Sequence, residues 1–184
     1  MFTMKLAVVA IGGPHGSGKS SIAKKIANEF NMTYLSAGEV FRKLAKEKNY
    51  TIEEFTNYAL THSEIDKEID NRTAELSKQS NTVVDAQLAA YFTPKNSVLK
   101  ICITASSEIR YERISKRQQI SLEEAKNETI IREEVENQRF KELYKINVND
   151  LNVYDAVINT DRLSIQQTFN YTKAIVREAL NLIK

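Results

Sequence analysis

Five short apolar runs punctuate the chain: KLAVVAI at 5–11, TYLS at 33–36, NTVVD at 81–85, LKICIT at 99–104 and DAVINT at 155–160. Most are rich in β-branched residues and all are too short for a buried helix, so each predicts a strand. Between them the apolar positions recur every three or four residues. From Ser20 to Phe30, the residues Ile22, Ile26, Ala27 and Phe30 fall on one helical face. TIEE from Thr51 and SLEE from Ser121 read as capping boxes that open later helices. Residues 161–184 predict a closing amphipathic helix. Strands that alternate with helices need crossover connections, and crossovers build a parallel sheet covered on both faces. The expectation is therefore an α/β fold, a five-stranded parallel sheet with helices on both sides, in one domain over 1–184. Both prolines, Pro14 and Pro94, fall in connections, where a missing N–H does no harm.

Composition narrows the class. A chain of 184 residues that is 42% hydrophobic can bury one sizeable core. Its net charge is only +2 with no block of one sign, which argues against non-specific nucleic-acid binding. The run LAVVAI is too short to span a bilayer and leads into a glycine-rich turn rather than a cleavage site, so a cytoplasmic protein without membrane contact is expected. Cys102, the single cysteine, lies inside LKICIT and reads as a buried strand thiol.

Chemistry is concentrated after the first strand. Four of the five glycines lie between Gly12 and Gly18, and Gly13-Pro14-His15-Gly16-Ser17-Gly18-Lys19-Ser20 fits G-x-x-x-x-G-K-[ST], with a strand before and a helix after. This is a Walker A loop. Its backbone N–H groups converge on phosphate oxygens at the positive end of a helix, Lys19 adds a point charge, and the Ser20 hydroxyl can ligate Mg²⁺. Ser21 continues the same turn. His15 occupies a variable position of the motif and reads as filler rather than a base. No N-K-x-D guanine signature occurs, and the length leaves little room for a motor or transporter ATPase, so a small kinase remains. After the second strand, Ser36-Ala37-Gly38-Glu39-Val40-Phe41-Arg42 places a guanidinium one turn into a helix at the carboxyl edge of the sheet, where open α/β sheets bind ligands.

The segments GGPHGSGKSSIAKKIA, YLSAGEVFRKLA, EIDKEIDNRTAELS, ASSEIRYERISKRQQISLEEA, IIREEVENQRFKELYKINVNDL and YDAVINT together resemble the archaeal type of cytidylate kinase, within the nucleoside monophosphate kinases. The resemblance covers nearly the whole chain. It implies a P-loop kinase fold with a short helical lid at about 110–145, ATP with Mg²⁺ as donor, and CMP or dCMP as acceptor. Ser36, Gly38 and Arg42 become acceptor-site residues on this basis, and Arg72 of EIDNR joins them. Arg113 or Arg117 would contact adenine or the donor phosphates, as lid arginines do in similar kinases. Similar kinases also carry an acid-glycine-arginine triplet after the third strand. Here the triplet is Asp85-Ala86-Gln87, so a neutral amide stands where the acceptor phosphate would meet a guanidinium.

The residues of the lid segment carry a reading of their own. Arg110, Arg113 and Arg117 recur at helical spacing, and Arg132 and Arg139 lie seven apart on one face. For Arg110 the neighbouring acids suggest surface pairs one turn away. Arg132 and Arg139 are read as cations delivered to the reacting phosphoryl group on closure, because phosphoryl transfer spreads charge over equatorial oxygens. Glu136, on the same face, can accept a ribose hydroxyl. Asp85 ends a strand, where it can hold Mg²⁺ through water, contact the acceptor or cap a helix. The expected reaction is transfer of the ATP γ-phosphoryl to CMP or dCMP by a monomer whose partners are small molecules alone. The alternatives are another small acceptor, such as UMP, AMP or a non-nucleotide, and a nucleotide-binding regulator or assembly ATPase. A pure ATP switch needs no acceptor clamp, so Arg42, Arg132 and Arg139 favour transfer.

Overall fold

The computed structural model describes residues 7–78, 81–93 and 99–181. The five strands form where the apolar runs lie: β1 (Val8–Gly12), β2 (Thr33–Ser36), β3 (Thr82–Asp85), β4 (Leu99–Thr104) and β5 (Ala156–Asn159). They pair in parallel in the order β2-β3-β1-β4-β5. Eight α-helices connect and follow them among the described residues: α1 (Lys19–Glu29), α2 (Ala37–Glu47), α3 (Ile52–Thr61), α4 (Ser63–Ser77), α5 (Ala89–Phe92), α6 (Ser107–Gln118), α7 (Leu122–Tyr144) and α8 (Ile165–Asn181). Pro94 and the last three residues of the expected closing helix lie outside the described residues.

Alternation along β1 explains how one sheet acquires two cores. Val9 and Ile11 face Ile22 and Ile26 of α1 and Val176 of α8, whereas Val8 and Ala10 face Leu44 of α2, Phe55 of α3 and Ile65 and Ile69 of α4. With both faces covered, β1 is buried along its whole length. Cys102 is buried in β4, and burial pushes its thiol up to about 11, as expected of an inert strand cysteine.

Local chemistry sets the helix ends. Thr51 accepts from the Glu54 N–H while Glu54 accepts from the Thr51 N–H, the reciprocal capping box read from the sequence, and Ser121 accepts from the Glu124 N–H. Because the few glycines lie elsewhere, Asn31, Asn49, Gln119 and Lys145 take the left-handed backbone at four helix ends. The strand order reverses at β1, with β3 on one side and β4 on the other. The loop after β1 therefore opens at the switch point of the sheet, the crevice where such folds bind ligands.

Candidate active site

The loop from Gly13 to Ser20 turns from β1 into α1 through left-handed glycines. Gly16 has φ 78°, and a β-carbon there would sit 2.7 Å from the Arg110 carbonyl oxygen, so only glycine lets the loop pass this close to α6. Gly18 has φ 94° and is the N-cap of α1, which leaves the first N–H groups of the helix facing the loop.

On one side the loop borders a cavity of about 340 Å³. Its lining runs from Gly16 to Ile22 and includes Arg113 and Arg117 of α6, with Thr160, Leu163, Ile165 and Thr168 from the β5–α8 connection and the first turn of α8. The sequence reading anticipated the loop and the two arginines but missed the β5–α8 wall. Arg113 is strapped in place: it donates to Thr160 Oγ1 at 2.8 Å, to the Thr160 carbonyl at 2.9 Å and to the Ser17 carbonyl at 3.3 Å. A guanidinium held at its edge keeps its flat face available to a planar base.

At the lip of β1 and β3 several charges converge. Burial lowers the pKa of Lys19; Asp85 and Glu136 oppose this, and the nearby Arg132 and Arg117 reinforce it. Asp85 is 4% exposed; its Oδ2 accepts from the Tyr34 hydroxyl at 2.7 Å, and its Oδ1 is buried without a protein partner. Tyr34 is accordingly raised by burial and by its bond to Asp85. An orphaned carboxylate oxygen beside the P-loop suits a hydrated divalent cation, which keeps most of its waters and takes one or two protein oxygens. Ser20, exposed at the start of α1, carries a hydroxyl that can serve as a second oxygen donor. Among the described residues no group of three or more His, Cys, Asp or Glu side chains gathers around a point, so a dedicated protein cage is not what these residues build.

The far side of Asp85 carries the acceptor candidates. Ser36 pairs in register with Asp85 across β2 and β3. Ser36 Oγ and Arg42 Nη1 lie 3.5 and 3.6 Å from where a Gly38 β-carbon would be, so Ser36, Gly38 and Arg42 meet over the first turn of α2. Arg42 forms no ion pair among the described residues, which leaves its charge uncommitted. Gln87 instead lines a second cavity of about 280 Å³ together with Gly13, Pro14, Tyr91 and Tyr154; neither Ser36 nor Arg42 lines it.

Three sequence expectations are corrected. Arg72 does not reach the acceptor side: it donates to Glu47 at 2.6 Å and to Glu68 at 2.8 Å. Glu47 ends α2, which starts at the sheet edge and runs away from it for 11 residues, about 16 Å at 1.5 Å per residue. Arg110 is not a surface residue paired one turn away; it is 6% exposed and bonds Glu133 of α7 at 2.5 Å and the His15 carbonyl at 2.9 Å. His15 is not filler, because its Nε2 lies 2.7 Å from Glu136 Oε2.

The proposed lid corresponds to most of α6 and the whole of α7. Arg132 stands 61% exposed with its Nε bonded to Glu136 Oε1 at 2.9 Å, whereas Arg139, further along α7, lies 3.2 Å from Asp66 of α4. Burial raises the Glu136 pKa, but the bond to His15 and the charges of His15 and Arg132 outweigh it and bring the carboxyl to about 2. The C-terminal end of α7 is anchored: the Tyr144 hydroxyl donates to Asp70 of α4 at 2.6 Å, and its ring meets Phe92 of α5 edge-on at 4.9 Å.

That anchor predicts a pH effect. Burial is the main cause that raises Asp70 from 3.8 to about 6; the Tyr144 bond opposes it. The native state therefore binds more protons than the unfolded chain between these values, and the Asp70 contribution to stability falls as pH rises from about 4 to about 6. Asp70→Asn keeps an acceptor for Tyr144 and removes the buried charge. Relative to the parent it should gain stability across that window, by at most about 3 kcal/mol at neutral pH for a displacement of two decades. Thermal melts of both proteins at pH 4 and pH 7 test this; a difference that is the same at both values refutes it.

The parallel sheet with a Walker A loop at its switch point defines a P-loop kinase fold. Solved structures share it: a shikimate kinase from Bacteroides thetaiotaomicron superimposes with a TM-score of 0.62 at 13% identity, over 94% of this chain and 99% of that one. The shikimate kinase of Acinetobacter baumannii in complex with shikimate gives 0.61 at 12% identity, over 95% of each chain. Within that class the chain belongs to the cytidylate kinase-like family, whose model matches residues 8–162. It is 40% identical to the cytidylate kinase of Staphylothermus marinus over 95% of this chain and 99% of that protein. Against the cytidylate kinase of Methanocaldococcus jannaschii the identity is 42%, over 96% of this chain and 99% of the other.

Proposed function

We propose that this protein transfers the γ-phosphoryl group of ATP to CMP or dCMP, giving CDP or dCDP. One observation carries the reading beyond the family: Asp85 stands between a P-loop with a lined cavity and Arg42, a cation with no ion-pair partner among the described residues. A donor cradle and an uncommitted arginine on opposite sides of one carboxylate suit a reaction between two phosphates. An ATP switch would leave Arg42 without a task.

Acceptor phosphate is already an anion, so no strong general base is required, and catalysis is positioning with charge stabilisation. The P-loop amides and Lys19 hold the β- and γ-phosphates. Arg113 and Arg117 border the part of the donor cavity that suits the adenine. Ser36, Gly38 and Arg42 receive the acceptor phosphate, and Arg132 offers charge to the equatorial oxygens of the group in transit. Ser20, and Asp85 through water, would hold Mg²⁺, which would supply charge neutralisation for the donor phosphates. The protein acts as a single domain and a monomer, with α6 and the first half of α7 closing over the site. No helix among the described residues is long and apolar enough to cross a membrane.

The test is a steady-state panel of CMP, dCMP, UMP and AMP with Mg-ATP and an acceptor-free control. CMP and dCMP should give the highest kcat/KM. Arg42→Ala should raise the CMP KM tenfold or more with a smaller change in kcat, since a ground-state phosphate bond to a charged donor is worth about 1.5–3 kcal/mol. ATP hydrolysis with no acceptor turnover, or a clear preference for UMP or AMP, would overturn the assignment.

A further inference from the structure

Among the described residues, residue 15 links the P-loop to α7 twice: its backbone through Arg110 of α6, and its side chain directly. Its carbonyl accepts from Arg110 Nη1 at 2.9 Å, and the same Nη1 reaches Glu133 Oε1 at 2.5 Å. Its imidazole lies 2.7 Å from Glu136 Oε2. Glu133 and Glu136 are one turn apart on α7, so both ties meet the same stretch of the helix. Glu136 is itself bivalent: the second oxygen, Oε1, takes the Arg132 Nε at 2.9 Å. That bond uses only Nε, and the two terminal Nη groups of Arg132 have no protein partner among the described residues. They are the groups that can make a bidentate contact with phosphate.

Alternatives open to the carboxylate give this arrangement its meaning. Glu136 is close enough to Lys19 to act on its charge, and its own side chain is only 13% exposed. Released from His15, the carboxylate can turn toward the Lys19 ammonium, neutralise the donor cation and let go of Arg132. Arg132, at 61% exposure, has no other ion-pair partner among the described residues to restrain its flexible stem.

We propose that His15 is a positioning residue for phosphoryl transfer: by holding Glu136 it fixes the Arg132 fork beside the P-loop and keeps Glu136 from giving up Arg132 for a direct pair with Lys19. The inference rests on the reading of the protein as a nucleoside monophosphate kinase. His15 touches neither substrate in this role, and acts through two side chains of α7. A P-loop side chain thus sets where the lid arginine stands.

The experiment is a double-mutant cycle with Mg-ATP and CMP, each variant first checked for folding by its thermal melt. His15→Ala should lower kcat about 10- to 100-fold, the scale on which an ångström of misplacement acts, with the ATP KM within about twofold. His15→Gln, whose amide nitrogen can donate to Glu136 from a similar place, should recover kcat to within about threefold of the parent. In an Arg132→Ala background, His15→Ala should cost no more than about a further twofold, because residues acting as one unit are not additive. Should His15→Ala not fold, His15→Asn, whose shorter amide falls short of Glu136, replaces it with the same expectations. Any one of three results overturns the proposal: kcat unmoved by His15→Ala, an equal loss with and without Arg132, or His15→Gln no better than His15→Ala. A parent protein that phosphorylates no monophosphate overturns the functional reading instead, and the two failures are distinguishable.

Discussion

Lys19→Ala should lower kcat/KM for Mg-ATP by at least 10² to 10³, the loss on removing one preorganised donor from developing oxyanion charge. The structure sharpens this. Lys19 sits where Asp85 and Glu136 are its counter-charges and Arg117 and Arg132 its like-charge neighbours. Arg117 and Arg132 belong to α6 and α7 respectively, whereas Lys19 opens α1 and is fixed relative to the loop amides. Stability should fall as well: Asp85 is 4% exposed and would lose the Lys19 counter-charge, and removing one partner of a buried charge pair costs up to about 3–5 kcal/mol. Tyr34 still donates to Oδ2, but Oδ1 has no protein partner. Turnover within tenfold of the parent, in a variant that stays folded at the assay temperature, would remove Lys19 from the reaction.

That much was available from the sequence, because a Walker A loop is a local pattern in which spacing, strand and helix all lie within about twenty residues. The strands were legible for a related reason. A sheet buried on both faces needs near-continuous apolar runs, and VVAI, TVV and KICI stand out against helices with mixed faces. Thr51 and Ser121 announced their helices through contacts three residues long. What stayed hidden is cross-element pairing. His15 meets Glu136 across 121 residues, Arg110 meets Glu133 across 23, and Arg72 meets Glu47 across 25. No periodicity encodes these partners, and an arginine in a charged helix offers acids at i±4 that compete for every reading. The donor wall at Thr160, Leu163 and Ile165 was equally silent, since threonine and aliphatic residues after a strand look like ordinary packing. Gln87 is a different case: a departure from a family triplet marked a position worth naming, and the cavity it lines includes neither Ser36 nor Arg42.

Arg132→Ala should have the largest effect on rate and one of the smallest on folding. Its side chain is 61% exposed and its Nε–Glu136 pair is an i,i+4 contact, a geometry worth about 0.3–0.5 kcal/mol, so the melting temperature should hold within a degree or two. For the transition state the position is different. Arginines that meet the equatorial oxygens in phosphoryl transfer are worth roughly 10³ to 10⁵ in kcat. If Arg132 acts there, kcat for CMP falls by that order while the KM values for ATP and CMP move by less than about threefold, since the contact forms in the transition state and not in the ground state. Arg132→Lys keeps a charge but loses the planar fork, and should fall between the parent and alanine. Arg139→Ala is the contrast. Arg139 pairs with Asp66 near the half-buried Asp70 and Tyr144, so its loss should appear first in stability and only weakly in kcat. A kcat for Arg132→Ala within tenfold of the parent, or a greater kcat loss in Arg139→Ala, would move the catalytic arginine off this turn of α7.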